Sequence, residues 1–140
     1  MKSRSEDTLV GLVNPTLYRQ RVEKTQAEAP EVRVVNEKTG GAKGQKDIRF
    51  DLLPWEQLWE VARLYGVGAK KYNPGNWRKG YDFSLSYAAM MRHATQFWTG
   101  ESYDEETGCH HMASVVFHAL ALMYFDKHCP EMDDRMEIIK

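Results

Sequence analysis

The chain has 140 residues, 42% of them hydrophobic and 28% charged, with a formal net charge of -1. That length suits one domain with a short extension, and the near-neutral charge excludes a protein that coats nucleic acid through a global basic excess, so no direct nucleic-acid binding is expected. Cys109 and Cys129 lack CxxC spacing, no apolar run reaches membrane-spanning length, and "MKSRSEDTLVG" has no signal-peptide core, so the chain reads as cytoplasmic with no membrane partner.

Residues 1–46 form a polar arm, expected to be largely extended or flexible and to dock on a partner subunit. An apolar patch, "TLVGLV", and a weakly strand-like "VRVVN" interrupt it, and "EKTGGAKGQK" reads as a flexible linker. Residues 47–140 are expected to form an all-α domain that carries the candidate catalytic groups. Pro54 suits a first helical turn, and Trp55, Leu58, Trp59, Ala62 and Tyr65 recur at helical spacing, with Gly66 and Gly68 as candidate terminators. "NPGNWRKGYD" is a turn region. A second helix starts near Ser84, with Asp82 or Ser84 as N-cap, and runs to Gly100.

The third helix covers roughly 110–128. Between Met112 and Phe125 its only polar residues are Ser114 and His118, so it must be buried on most sides. Three helices cannot easily bury such a segment alone. The fold class is therefore all-α, a helical bundle completed by oligomerisation, as a dimer or tetramer.

The stretch "GESYDEETG" places Glu101, Asp104, Glu105 and Glu106 together with no basic residue among them. Acids ahead of a helix N-terminus are favourable, which accounts for Glu105 and Glu106. It accounts less well for Glu101 and Asp104, and clustered oxygen donors are what Mg2+ or Mn2+ requires. Antiparallel packing of the second and third helices would bring His93 and His111 close to those two acids, as ligands, base or phosphate donors. His110 reads as solvent-facing and His118 as a satisfied core histidine.

The loop "GAKKYNPGNWRKG" carries Lys70, Lys71, Arg78 and Lys79 without an acid. It reads either as a solvated basic loop or as an anion clamp, with Tyr72 and Trp77 able to stack on a base and Asn76 able to read its edge. Four positive charges in one loop and four negative in another suit a metal–polyphosphate ligand between them. Glu56, Glu60 and Arg63 read as an exposed, salt-bridged face, with Glu60 in reserve as a further ligand. No Walker loop, GxSxG elbow, HExxH helix or HD dipeptide occurs.

The segments "FDLLPWEQLWEVARLYGVGAKKYNPGNWRKG", "RHATQFWTGESYDEETGCHH" and "ASVVFHALAL" resemble the phage dATP/dGTP diphosphohydrolases, grouped with the MazG-like all-α nucleotide pyrophosphohydrolases. The resemblance spans residues 42–126. It implies hydrolysis of deoxypurine triphosphates to monophosphate and diphosphate, using Mg2+ or Mn2+, in host cytoplasm if the chain is phage-encoded. It also implies supply of dGMP for diaminopurine nucleotide synthesis and depletion of dATP. On the GExxD match it implies metal ligands Glu101, Asp104, His93 and His111, with Glu101, Asp104 and His111 catalytic. Lys70, Lys71, Asn76, Trp77, Arg78 and Arg92 would engage phosphates or base. The chain departs from the MazG pattern in two respects: "ESYD" has the ExxD form but sits in a turn, and "EQLWE" is not EExxE. Two alternatives stay open, a non-catalytic helical module that binds a nucleotide or a protein, and an HD-like triphosphohydrolase.

Overall fold

The computed structural model describes residues 31–136. The patch "TLVGLV" and most of the arm lie outside the described residues. The chain divides into two compact units, Met1–Leu53 and Pro54–Lys140.

In the first unit, β1 (Val32–Val35) and β2 (Ala42–Gln45) pair antiparallel, with Val32 opposite Gln45 and Val35 opposite Ala42. The segment expected to be a linker is therefore the turn and return strand of a hairpin. Asn36 makes the turn: its Oδ1 accepts from the backbone N–H of Lys38 (3.0 Å) and Thr39 (3.1 Å), and Gly40 takes φ +72°. A short 3-10 turn, Phe50–Leu52, follows.

The second unit is all-α, with α1 (Trp55–Tyr72), α2 (Phe83–Trp98) and α3 (His111–His128), plus 3-10 turns at Asn76–Lys79 and Pro130–Met132. Helix α1 runs through Gly66 and Gly68, which do not end it. A mid-helix glycine costs about 1 kcal/mol relative to alanine, less than continued packing returns. The helix stops at Asn73, where φ is +77° and Pro74 follows. Its buried face is rotated from the expected one: Val61 is buried and Leu58 and Tyr65 half-buried, while Trp55, Trp59 and Ala62 are exposed.

Asp82 occupies the N-cap of α2, but its side chain makes no capping bond. The cap comes from Asp134, fifty residues away, whose carboxylate accepts from the Ser84 backbone N–H at 2.8 Å and pairs with the Ser84 hydroxyl. Helix α3 packs against both α1 and α2. Its C-terminal half builds the core: Phe83, Ala121, Phe125 and Cys129 are buried, with Trp77, Tyr81, Leu122, Tyr124 and Met132 packed against them. Tyr81 meets Phe125 edge-on at 4.8 Å and Trp77 meets Tyr124 at 5.0 Å, geometries that favour the ring quadrupoles. Gly80 takes φ +84°, and a Cβ there would lie 2.9 Å from Cys129 Sγ, so the close approach admits only glycine.

Within this one chain α3 is not covered on all sides. Leu120 is 41% exposed and Met123 62%. Among the described residues no helix is long and apolar enough to cross a membrane.

Candidate active site

Helices α2 and α3 run antiparallel, and the register that sets Phe83 against Phe125 also sets His93 against His111. The connection between them is built tightly. Gly100 turns the chain at φ +105°, and the Glu101 N–H reaches back to the Gln96 carbonyl at 3.0 Å. Residues 102–111 then close like a small hairpin. The Asp104 N–H donates to Cys109 O at 2.9 Å, His111 N–H donates to Ser102 O at 2.9 Å, and Gly108 supplies a φ of +70°.

That turn fixes Asp104. Its Oδ2 accepts from Thr107 Oγ1 at 2.8 Å and from the Thr107 backbone N–H at 3.2 Å, which leaves Oδ1 for another partner. Desolvation pushes the carboxyl up, but the Thr107 hydrogen bonds and the nearby His93 outweigh it and hold the group below the usual carboxylate range.

Both histidines are buried, His111 completely, and their Nδ1 atoms lie 2.9 Å apart. Burial lowers the His93 pKa, helped by the Arg92 charge and opposed by Asp104. His111 Nε2 lies 3.3 Å from Glu101 Oε1, within ion-pair range, yet the carboxylate is off line. That buried nitrogen has no hydrogen-bond partner among the described residues. His93, Asp104 and His111 each offer a ligand atom, and these atoms all lie within 4.8 Å of one another. The donor chemistry fits a divalent ion.

The basic residues divide into two groups. Lys71, at the end of α1, pairs with Glu106 of the acidic turn at 3.1 Å, and Arg92 lies beside the cluster with a guanidinium nitrogen 3.5 Å from His93 Nε2. Among the described residues no hydrogen bond or ion pair ties Lys70, Asn76, Trp77 or Arg78 to the acidic turn. Trp77 is packed edge-on against Phe117 and Tyr124, so its ring serves the aromatic cluster, and the Arg78 guanidinium lies 5.4 Å from it. Glu60 pairs with Arg63 at 3.7 Å, and neither it nor Glu56 joins the ligand cluster.

Two further histidines are occupied. His110 is half-buried and caps α3, its Nδ1 accepting from the Met112 N–H at 3.1 Å. His118 Nδ1 meets the buried Ser86 hydroxyl at 3.1 Å, and Ser86 meets Tyr81 OH at 2.8 Å. The satisfied core histidine expected from its apolar surroundings is what the seam contains. Sequence reasoning did not find Thr107, Ser86 or Tyr81. The spacing of Asp104 and Thr107 carries a signal, because a short polar side chain often bonds the backbone a few residues on. Ser86 and Tyr81 carry none until the helix register is known.

Residues 37–135 match the profile of a family described as dATP/dGTP diphosphohydrolase, N-terminal. A dATP/dGTP diphosphohydrolase of Salmonella phage PMBT28 is 32% identical over 76 residues, which is 54% of this chain and 26% of that protein. The chain thus spans about a quarter of the length of the curated relative it matches. No solved structure matches.

Proposed function

The chain belongs to the dATP/dGTP diphosphohydrolase family, and from that premise we propose that it hydrolyses dGTP and dATP to the deoxynucleoside monophosphate and diphosphate with a divalent ion, Mg2+ or Mn2+. The observation that carries the reading is the cluster of the buried His93 and His111 with the half-buried Asp104, beside Glu101.

A bound divalent ion supplies an acidified water and neutralises charge that develops on the departing diphosphate. His93, Asp104 and His111 would hold that ion. Glu101 is part-exposed, adjacent to the cluster and free of the Thr107 bonds that restrain Asp104, so it takes the proton from the attacking water, with His111 beside it. The bond that forms joins water oxygen to the α-phosphorus; the bond that breaks joins that phosphorus to the bridging oxygen, and diphosphate leaves. Lys71 exchanges Glu106 for phosphate oxygens, and Lys70, Arg78 and Arg92 add positive charge. Asn76 and Trp77 are proposed to face the base only along the edges that packing leaves free.

We assign the chemistry to residues 47–140 and propose that a second copy covers the exposed apolar surface of Trp59 and Met123, as a dimer or tetramer. In a host cytoplasm the products would supply dGMP for diaminopurine nucleotides while dATP is depleted. A second reading keeps the same cluster and the Lys71–Glu106 pair in a helical module that holds nucleotide without turnover. Ion-exchange analysis of each dNTP incubated with the protein and Mg2+ or Mn2+ separates the readings. Monophosphate plus diphosphate from deoxypurines supports the enzyme, nucleotide binding without products supports the module, and tripolyphosphate contradicts both.

A further inference from the structure

We infer that the centre between α2 and α3 selects a first-row transition ion of the Mn2+-to-Zn2+ series over Mg2+. The inference rests on the metal-centre reading above and narrows the ion it takes.

Two of the oxygen donors of the acidic turn are already engaged. Glu106 is paired with Lys71, and Oδ2 of Asp104 is bound twice by Thr107. The cluster that remains contains two imidazoles and one carboxylate, with no second acid among its members. Mg2+ demands oxygen ligands in near-ideal octahedral geometry and gives up its waters reluctantly. Imidazole nitrogen suits the later first-row ions, with affinity rising from Mn2+ through Ni2+ and remaining high at Zn2+.

The burial of the two imidazoles points the same way. A hydrogen bond between the Nδ1 atoms satisfies one nitrogen of each ring, but His111 Nε2 has no hydrogen-bond partner among the described residues. A buried polar atom without a partner is costly, and here it belongs to a ring that is 0% exposed. The third imidazole of the seam, His118, is held by Ser86 through Nδ1. Three protein ligands therefore converge, which is the number that leaves positions open for water and substrate.

The test uses the full chain, stripped of metal by a chelator and titrated with Co2+, whose visible ligand-field bands report nitrogen ligation. The bands are expected to saturate at one ion per chain, to yield to Zn2+, and to persist in a large molar excess of Mg2+. His93→Ala and Asp104→Asn, each checked for helix content by circular dichroism, should abolish them. Failure of the bands to form, their loss to comparable Mg2+, or their retention in a folded Asp104→Asn would overturn the inference. The two readings also fail separately. Bands without nucleotide hydrolysis contradict the proposed activity and leave the ion preference standing, whereas hydrolysis with Mg2+ and no cobalt bands does the reverse.

Discussion

Ser86 and His118 meet across the α2–α3 seam, hydroxyl to Nδ1 at 3.1 Å, one helical stretch away from the point where His93 and His111 face each other at 2.9 Å. The same two helices therefore hold two polar arrangements with opposite character. At Ser86 the hydroxyl is paired with Tyr81 on one side and with His118 Nδ1 on the other. At His111 a buried nitrogen has no hydrogen-bond partner among the described residues.

Ser86→Ala tests the paired end. It leaves the Tyr81 hydroxyl and His118 Nδ1 without their partner, which should cost about 1–3 kcal/mol. Thermal or denaturant unfolding would register the loss, while ion affinity at His93, Asp104 and His111 should stay within a factor of about two, because none of those side chains touches Ser86. An equal loss of ion affinity would mean that the two arrangements are one network.

Thr107→Val tests the positioning of Asp104. The change keeps the shape and the Thr107 N–H bond to Oδ2, and removes the 2.8 Å hydroxyl contact to Oδ2 together with the bond the hydroxyl accepts from the Cys109 N–H. Groups that orient a ligand typically contribute about 10–100-fold to metal affinity, so Co2+ or Mn2+ binding should weaken by that order. Calorimetric titration measures it directly.

Lys71 and Glu106 give predictions of opposite sign. Their ion pair is exposed and worth at most about 1 kcal/mol to stability, so neither substitution should shift unfolding much. Lys71→Ala should raise the KM for dGTP about tenfold or more if the ammonium binds phosphate. Glu106→Gln frees that ammonium and should leave KM unchanged or lower. A rise in KM for both variants would show that the pair matters as a pair.

The pH dependence of the metal-free protein follows from His118. Burial, together with the nearby His93 and Arg92, holds its pKa down to about 4 from 6.5. Between those values the unfolded chain binds the proton and the folded chain does not, so stability is full above about 6.5 and falls as pH drops towards 4. His118→Gln should flatten that slope in unfolding curves recorded across the window.

How far the sequence reveals these features depends on whether they are local. The three helices were legible because apolar spacing and caps are local, and the meeting of His93 with His111 followed once two helices joined by a short turn were taken as antiparallel. Gly66 and Gly68 misled because a glycine is only a weak terminator, while Asn73 with its positive φ did the stopping. The "EKTGGAKGQK" segment looked like a linker because its composition is that of one; the Asn36 side chain, bonded to two backbone N–H groups, makes it a turn. The buried stripe of α1 was displaced because Trp55 and Trp59 have the right spacing yet lie exposed in this chain. Trp77 read as a surface aromatic because its loop is basic, whereas its ring is packed between residues of α3 that are distant in sequence. Asp134 capping α2 and Ser86 bonding His118 depend on tertiary register, and no local pattern encodes them.

The central claim is most directly tested by hydrolysing dGTP in heavy-oxygen water with Mn2+ and following both products by mass spectrometry, for the wild type and Asp104→Asn. The account predicts dGMP carrying the label and unlabelled diphosphate, with turnover lost in the folded variant. Label in the diphosphate, absence of dGMP, or undiminished turnover in Asp104→Asn would contradict it.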